Sequence, residues 1–326
     1  LKNKSLFFET NLKNIIVSKF IIICIGTPIN SKLEPNQKDF FKLIYDLKKY
    51  IKKNHIIIVR SSVYPGTIDK VKKILKNKNT NIVYCPERIV QSKSLIELPK
   101  LPQIVATDNN KTFLETKKIF GKITAKIIST TILEAELIKL YSNANRYINF
   151  AIANQLFAIC HVNNLNFDRI RNIMQDGYER NLNLAGAGLT SGPCLLKDTM
   201  QLRSFCNNNF ELGSAAMKIN EKIPDLIIQK LRKFNNYKKK TIGLLGLTFK
   251  GETDDIRDSL SIKLLKKLKN LKLKVLQSDE FYKDKNNIPL KKLILKSDIL
   301  IIGAPHKKYS KITIPKNKKI INIWGI

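Results

Sequence analysis

The feature that most constrains the fold is a series of short, strongly apolar runs that alternate with segments of helical periodicity. Residues 20–25 read FIIICI and lead into Gly26-Thr27-Pro28, as expected of a buried parallel strand followed by a turn. Residues 39–52 place apolar side chains at helical spacing, and residues 55–60 (HIIIVR) form the next strand. This alternation predicts an α/β fold with a doubly wound parallel sheet. Further strands are predicted at residues 82–84, 103–106, 125–128, 241–245, 273–276, 298–303 and 320–323.

The pattern becomes helical in the middle of the chain. Residues 133–162 are predicted to form one long helix, shorter helical patterns follow, and a second α/β unit begins after Pro224. We therefore expect two Rossmann-like doubly wound parallel sheets, joined by a long central helix and a helical middle domain. The predicted domains are residues 1–130, 131–222 and 223–326, with no Gly-, Ser- or Pro-rich linker between them.

The start of the sequence lacks an element that such a fold normally has. A dinucleotide-binding sheet opens with a strand and a GxGxxG turn whose amides hold the pyrophosphate, and no such turn precedes Phe20. The first residue is Leu1, and its neighbours resemble the interior of a domain. We therefore expect the N-terminal Rossmann-like domain to be incomplete and the chain to be a fragment.

Composition argues against several classes of protein. The five cysteines form no CxxC pair and no His/Cys ligand spacing, so we expect neither a metal site nor a disulfide framework. Such cysteine usage fits the reducing cytoplasm, and no apolar run approaches the roughly 20 residues of a membrane span. The formal net charge of +33 comes from lysines spread along the whole chain, without a nucleic-acid-binding motif. We expect neither nucleic acid nor membrane as a partner, and the charge favours an anionic substrate.

The segment Gly192-Pro193-Cys194-Leu195-Leu196-Lys197-Asp198 is the strongest candidate for chemistry. Apolar residues recur at helical spacing after Cys194, whereas the Gly-Pro pair prevents a helix from extending backwards through it. A thiol is nucleophilic only as the thiolate, which a helix N-terminus or a nearby cation stabilises. Cys194 is therefore a candidate nucleophile, and on this segment alone a buried structural cysteine beside a turn is an equal alternative.

Two further sites carry polar groups in promising positions. Lys139 and Asn143 lie four residues apart on the long predicted helix, so both project from one face and could bind a substrate oxygen. The spacing alone favours the alternative of an ordinary solvated stripe. The second site is the loop at residues 246–259, which joins a predicted strand to a helix and contains Lys250 and Arg257. Such a loop is a candidate phosphate site, although it is not a GxGxxG turn.

Together, these segments resemble the UDP-glucose/GDP-mannose dehydrogenase family, also called nucleotide-sugar 6-dehydrogenases. The resemblance runs nearly from end to end, with the motifs in the family's order, and it strengthens the assignment of Cys194 as a nucleophile. The motifs are Gly26-Thr27-Pro28, residues 61–67 (SSVYPGT), Pro86-Glu87-Arg88, residues 136–144 (ELIKLYSNA), residues 192–198 (GPCLLKD), Phe249-Lys250 with residues 253–259 (TDDIRDS), and Ser297-Asp298.

The resemblance implies an enzyme that oxidises the C6 alcohol of a nucleotide-sugar, either a UDP-N-acetylhexosamine or UDP-glucose, twice with NAD⁺ and releases a uronate. Cys194 resembles the nucleophile that captures the intermediate aldehyde and forms the thioester. Lys139 and Asn143 resemble the pair that holds the C6 oxygen. The resemblance further implies that Glu87, Thr27 and Asp198 order or activate water for hydrolysis, that Arg180, Lys250 and Gly192 bind substrate, and that Thr27, Thr67, Lys197 and Arg257 contact the cofactor.

Other details bear on the substrate and on the assembly. Pro86-Glu87-Arg88 resembles the UDP-N-acetylhexosamine branch more than the UDP-glucose branch. Leu195-Leu196 departs from the sequence that most often follows the cysteine in this family. The resemblance implies a homodimer formed around the long helix, with Arg180 reaching the substrate across the interface. The alternative to an enzyme is a truncated or degenerate paralogue that binds UDP-sugars without turnover.

Overall fold

Within the residues that the computed structural model describes, 6–78 and 80–326, five short strands form the first sheet. In spatial and sequence order they are β1 (Phe20–Ile23), β2 (Ile56–Val59), β3 (Asn81–Tyr84), β4 (Gln103–Ala106) and β5 (Ile127–Thr130). The helices between them are α1 (Lys38–Lys48), α2 (Thr67–Leu75), α3 (Ser94–Glu97) and α4 (Asn110–Phe120).

The burial of strand β2 explains why residues 56–59 form a continuous apolar run in the sequence. Ile57 and Val59 pack in one cluster with Ile68 and Val71 of α2, whereas Ile56 and Ile58 pack in another cluster with Phe120 of α4. All four β2 side chains are buried because helices cover both faces of the sheet. At the edge of the sheet, Ile22 of β1 is 50% exposed.

The sheet is parallel except at one pair of strands. β3 and β4 run antiparallel, with Tyr84 opposite Ala106. A parallel connection needs a crossover, usually through a helix long enough to span the sheet, but α3 between these strands is a single turn. The chain therefore returns in the opposite direction, and Gln103 of β4 extends past the carboxyl end of β3.

The second sheet has four parallel strands within the described residues. In spatial order they are β7 (Lys274–Ser278), β6 (Thr241–Leu245), β8 (Ile299–Ile302) and β9 (Lys319–Ile321). Strands β6 and β8 are buried along their whole length, as predicted for a sheet covered on both faces. The helices α9 (Ile223–Arg232), α10 (Leu260–Asn270) and α11 (Leu290–Lys296) accompany this sheet.

The middle of the chain is helical, as predicted. The long helix α5 spans Ile132–Val162 and is followed by α6 (Phe167–Gln175), α7 (Leu195–Phe205) and α8 (Glu211–Glu221). The chain divides into two compact units. The first runs to Ser142 and includes Met200–Asn208, and the second comprises Asn143–Thr199 and Asn209–Ile326, so α5 and α7 each contribute to both.

Several boundaries differ from the sequence-based predictions. The strand predicted at residues 125–128 is β5, two residues later, because its backbone pairs with β4 and Ser129 and Thr130 complete that ladder. The first helix ends at Lys48 rather than at residue 52, where the amides of Tyr50 and Ile51 turn back to the Leu47 carbonyl. Helix α8 was not predicted.

Candidate active site

Cys194 lies immediately before α7, at the helix N-terminus where the sequence placed it. Its carbonyl accepts the Asp198 backbone amide at 2.9 Å, which is the first turn of the helix, and its side chain is exposed. The alternative of a buried structural cysteine is therefore excluded. An exposed thiol at the positive end of a helix is suited to nucleophilic chemistry.

The glycine before the cysteine has two structural reasons to be glycine. Gly192 has φ +108°, a backbone conformation that L side chains rarely adopt. A Cβ at this position would also lie 2.4 Å from Cδ2 of the Phe249 ring. Close packing of Phe249 on Gly192 thus joins the cysteine segment to the loop that contains Lys250.

One turn after Cys194, two polar side chains meet the fully buried carboxylate of Asp198. The Asn143 Nδ2 donates to Asp198 Oδ2 at 2.5 Å, and the Lys197 ammonium lies 2.8 Å from Asp198 Oδ1. Asp198 is 0% exposed, and a charge this deep requires such partners. Because an amide nitrogen has two hydrogens, Asn143 keeps a second donor after bonding Asp198.

Lys139 lies one turn before Asn143 on α5. The two residues are only 9% and 6% exposed, so the alternative of a solvated stripe is wrong. The spacing correctly placed both side chains on one helix face. That face is turned inward, which the four-residue spacing itself does not reveal.

The loop between β6 and α10 contains Arg257, a cation that interacts electrostatically with Cys194. The Arg257 guanidinium is paired with Asp255 at 2.6 Å. The pKa of Arg257 is raised, first by its hydrogen bond to Asp255 and more weakly by the negative charges that Cys194 and Asp258 can carry. Arg257, predicted to contact the cofactor, therefore lies within electrostatic reach of the Cys194 sulfur.

In the same loop after β6, two backbone amides already donate to a protein side chain. The amides of Leu247 and Thr248 donate to Asp279 Oδ2 at 2.6 and 3.3 Å, so the start of the loop is held by a protein carboxylate. Helix α10 is capped by Ser259, whose Oγ accepts from the amides of Ser261 and Ile262. Asp279 was missed in the sequence, although its position after a strand of an α/β unit is a recognisable signal.

Arg180 lies on the surface. It belongs to the 3₁₀ turn Glu179–Asn181, and its guanidinium lies over the Tyr178 ring at 5.8 Å from the ring centroid. Arg180 Nη1 also donates to the Tyr178 hydroxyl at 3.3 Å. An exposed arginine in this position is available to another molecule.

In the N-terminal unit, Glu87 follows β3 and forms an ion pair with the buried Arg60. Burial raises the pKa of Glu87, but the charge and hydrogen bond of Arg60, with the amides of Ile89 and Arg88, more than offset it and lower the pKa overall. The carboxylate is therefore ionised at neutral pH. Arg60 was not singled out in the sequence.

The Gly26-Thr27-Pro28 turn is tied to its neighbours by two hydrogen bonds. The Thr27 hydroxyl donates to the Ser62 carbonyl, and Gln201 Nε2 donates to the Thr27 carbonyl at 3.2 Å. The Thr67 hydroxyl, predicted to contact the cofactor, is 1% exposed and accepts from Gln37 Nε2 at 2.6 Å. Both threonines thus hold the loops at the carboxyl ends of β1 and β2.

The amino end of α2 is occupied by a side chain from α5. Glu136 Oε2 accepts from the Gly66 amide at 2.6 Å and Oε1 from the Ile68 amide at 3.0 Å. Glu136 is 1% exposed, and burial raises its pKa although both amides act in the opposite direction. The amides at this helix end are therefore already occupied by the Glu136 carboxyl group and are not open to a phosphate.

Two buried polar atoms near the Thr27 turn lack partners within the described residues. They are Ser61 Oγ and Gln201 Oε1, and both residues are nine-tenths or more buried. Ligands of open α/β sheets bind at the carboxyl ends of the strands, where these atoms lie. The residues present there fit a polar cofactor such as NAD.

A different cavity, of about 1030 Å³, opens at the opposite end of the first sheet. Lys19, Ile56 and Asn81, at the amino ends of β1, β2 and β3, line it together with Lys52 and Lys53. Because ligands of such sheets bind at the carboxyl ends, we do not assign the substrate to this cavity.

Neither a metal cluster nor a membrane span is found in the described part of the chain. Across residues 6–78 and 80–326, no three His, Cys, Asp or Glu side chains cluster in a way that could hold a metal ion. None of the helices in those ranges combines the length and the apolarity that a membrane span requires.

Comparison with known families gives three matches in the order of the chain. The NAD-binding domain of the UDP-glucose/GDP-mannose dehydrogenase family matches residues 1–124. The central domain of the family matches residues 133–222, and its UDP-binding domain matches residues 243–324.

Curated relatives extend these matches. The UDP-N-acetyl-D-mannosamine dehydrogenase of Methanocaldococcus jannaschii is 28% identical over 296 residues, covering 88% of this chain and 69% of the relative. That of Methanococcus vannielii is 29% identical over 94% of this chain and 75% of its own length. The UDP-glucose 6-dehydrogenase of Rickettsia bellii is 28% identical over 80% of this chain and 62% of its own length.

Solved structures share the fold. A UDP-D-ManNAc dehydrogenase from Pyrococcus horikoshii has a TM-score of 0.86 at 24% identity, covering 94% of this chain and 75% of that one. A UDP-glucose dehydrogenase from Pyrobaculum islandicum has a TM-score of 0.87 at 19% identity, covering 97% and 79%.

The two sheets and the NAD-binding and UDP-binding domain matches define an enzyme, an NAD-dependent nucleotide-sugar dehydrogenase. The α/β fold class and NAD as cofactor, both expected from the sequence, are confirmed. The chain belongs to the UDP-glucose/GDP-mannose dehydrogenase family.

Proposed function

We propose that this enzyme oxidises the C6 hydroxyl of a UDP-N-acetylhexosamine twice and releases the uronate through a thioester on Cys194. The observation that carries the proposal is the exposed Cys194 thiol at the N-terminus of α7, one helical turn before Asp198 of the Asn143–Asp198–Lys197 cluster. A reaction that passes through an aldehyde needs a nucleophile to capture it before a second hydride can leave.

The first oxidation develops negative charge on the C6 oxygen as its proton and a hydride leave. NAD, when bound, accepts the hydride of each oxidation. The Lys139 ammonium and the remaining Asn143 amide hydrogen stabilise the oxygen, and their burial strengthens this interaction. The hydrogen bond from Asn143 to Asp198 fixes the direction in which that second hydrogen points.

In the second oxidation, the Cys194 thiolate adds to the aldehyde carbon and the resulting thiohemiacetal loses hydride to become a thioester. Cys194 is proposed to react as the thiolate, the nucleophilic form of a cysteine, at the N-terminus of α7. In hydrolysis, water adds to the thioester carbonyl carbon and its proton passes to the Glu87 carboxylate. The carbon–sulfur bond then breaks, and its electron pair remains on Cys194.

The substrate class rests on the relatives and on one motif. Relatives named UDP-N-acetyl-D-mannosamine dehydrogenase cover most of this chain, and Pro86-Glu87-Arg88 resembles that branch. Lys250, on the loop that Phe249 anchors to Gly192, is proposed to bind the UDP-sugar, whereas Thr27, Thr67, Lys197 and Arg257 are proposed to serve the cofactor side.

We also propose a homodimer formed through α5. A shallow apolar cavity of about 230 Å³ runs between α5 and α8, and its lining includes Ile148, Ile152 and Leu212. Ile152 and Leu212 are 47% and 65% exposed. A second copy of this face would bury them, and the exposed Arg180 is proposed to reach the partner's substrate.

The cytoplasm remains the proposed location because of the cysteine usage.

The test is NADH formation from UDP-N-acetylmannosamine, UDP-N-acetylglucosamine, UDP-glucose and GDP-mannose, with the uronate measured in parallel. We expect kcat/KM to be highest for a UDP-N-acetylhexosamine, with two NADH formed per uronate. A preference for UDP-glucose would overturn the substrate class. UDP-sugar binding without NADH from any sugar would favour a binding protein over an enzyme.

A further inference from the structure

Arg60 is a buried cation to which the proposed reaction assigns no role. It directly follows β2, its backbone amide donates to the Ile23 carbonyl at 2.9 Å, and it is 9% exposed. An arginine in this environment is always charged and must find acceptors to compensate for lost hydration.

The guanidinium is surrounded by groups from the neighbouring strands. Arg60 Nη2 pairs with Glu87 Oε2 and donates to Gln103 Oε1 at 3.1 Å, and Nη1 donates to Cys85 Sγ at 3.1 Å. Its other side lies over the Phe120 ring, 4.9 Å from the ring centroid. The guanidinium therefore has little freedom to rotate.

Among these partners, Glu87 is the one that carries charge. Gln103 is neutral, and burial raises the pKa of Cys85 to about 11, although Arg60 acts in the opposite direction. Cys85 is therefore a neutral thiol at physiological pH. The positive charge of Arg60 is balanced by the Glu87 carboxylate.

Glu87 is held at both oxygens. Oε2 faces Arg60, and Oε1 accepts from the amides of Arg88 and Ile89 at 2.8 and 3.0 Å. The side chain is still 30% exposed, so a water molecule can reach the carboxylate. These contacts fix the plane of the carboxylate as well as its position.

We propose that Arg60 is the positioning residue for Glu87, and that its buried guanidinium orients the carboxylate that takes the proton from the hydrolytic water. This inference rests on the proposed function, in which Glu87 acts at thioester hydrolysis. Arg60 is not proposed to contact the substrate or the thioester. It acts through the geometry and the ionisation of Glu87.

The pH dependence has a defined sign. The pKa of Glu87 lies below its ordinary value because Arg60 and two amides outweigh burial. Removing Arg60 leaves burial less opposed, so the pKa of Glu87 rises. Because a general base works only when ionised, the acid limb of the hydrolysis rate moves to higher pH.

The experiment compares Arg60→Met, Arg60→Lys and the surface control Arg169→Met in single turnovers from pH 5 to 9. Thioester formation and uronate release are followed separately by rapid quench and mass spectrometry. We expect Arg60→Met to slow uronate release by about 10- to 100-fold, to accumulate the thioester, and to leave the rate of the first hydride transfer and the KM for NAD near wild type.

The lysine variant separates charge from geometry. Arg60→Lys keeps the positive charge but cannot bind several acceptors in one plane. We therefore expect the acid limb of the hydrolysis rate in Arg60→Lys to lie near its wild-type pH, whereas uronate release is still several-fold slower than in wild type. If Arg60→Met does not fold, this variant decides the matter. Uronate release at the wild-type rate in either folded variant would contradict the proposal.

A second readout does not depend on turnover. With ¹³C-labelled glutamate carboxyls, the Glu87 resonance is identified by its loss in Glu87→Gln and is titrated in each Arg60 variant. We expect its midpoint to move to higher pH in Arg60→Met and to stay near wild type in Arg169→Met. An unchanged midpoint would overturn the positioning role even if the protein proved to have no dehydrogenase activity. If the midpoint shifts in Arg60→Met but the wild-type protein forms no uronate, the positioning role stands and the proposed function is wrong.

Discussion

At the scale of single residues, Gly192 is a position where both the backbone conformation and the packing disfavour a side chain. Its φ of +108° favours glycine, and so does the Phe249 ring, which lies 2.4 Å from the point that a Cβ would occupy. The residue lies two positions before Cys194 and packs against the residue before Lys250. A change here is therefore expected to disturb the proposed nucleophile and the proposed UDP-sugar ligand together.

We expect Gly192→Ala to destabilise the protein by about 1–3 kcal/mol, through backbone strain and overpacking. If Phe249 moves aside instead, Lys250 moves with it and the KM for the UDP-sugar rises. Thermal unfolding and substrate titration measure the two effects. The matched control is Gly186→Ala, where a Cβ would meet nothing within 4 Å. Equal stability and equal KM in the two variants would contradict this account of Gly192.

Some residue-level features could be predicted from the sequence because they depend on local spacing. Lys139 and Asn143 share a helix face at four-residue spacing, and the Gly-Pro pair sets the start of α7. The Arg60–Glu87 pair joins residues 27 apart in sequence, and Glu136 reaches amides about 70 residues away. Such pairs depend on strand order, which local periodicity does not specify.

At the scale of elements, α5 carries an apolar face that the described residues leave exposed. Ile152 and Ile159, seven residues apart on the same side of the helix, are 47% and 50% exposed. Exposed apolar patches of this kind are typical of interfaces between protein chains. This face carries the proposal of a homodimer.

We expect Ile152→Lys to convert the proposed dimer to a monomer, because burying an unpaired ammonium in an apolar interface is costly. Analytical ultracentrifugation over a range of protein concentrations measures the change. Ile173→Lys is the control, since Ile173 on α6 is 65% exposed and outside this face. Wild-type protein that sediments as a monomer at all concentrations, or an Ile152→Lys variant that remains dimeric, would contradict the assignment.

Elements were predicted best where a single periodicity continued for a whole segment, as in α5 and β2. The direction of β4 was not predictable from apolar runs, because a run of strand length reads the same in both directions. The connection between β3 and β4 was the relevant signal, since α3 is too short for a parallel crossover. That reversal extends Gln103 past the end of β3, where it meets Arg60.

At the scale of the whole molecule, the order of the motifs was more informative than composition. A formal net charge of +33 is compatible with several kinds of anionic partner, whereas the ordered motifs resemble one family along nearly the whole chain. The matched NAD-binding, central and UDP-binding domains follow the same order. The GxGxxG turn that the fold leads one to expect does not occur before Phe20 in this sequence.

The central claim, covalent catalysis by Cys194, is tested most directly by acid-quenching the enzyme during turnover with UDP-N-acetylmannosamine and NAD⁺ and mapping the acyl adduct by peptide mass spectrometry. We predict an adduct on Cys194 and two NADH per uronate, no uronate from Cys194→Ser, and normal turnover by Cys206→Ser, the control at another exposed cysteine. Uronate formation by Cys194→Ser at the wild-type rate would contradict the account.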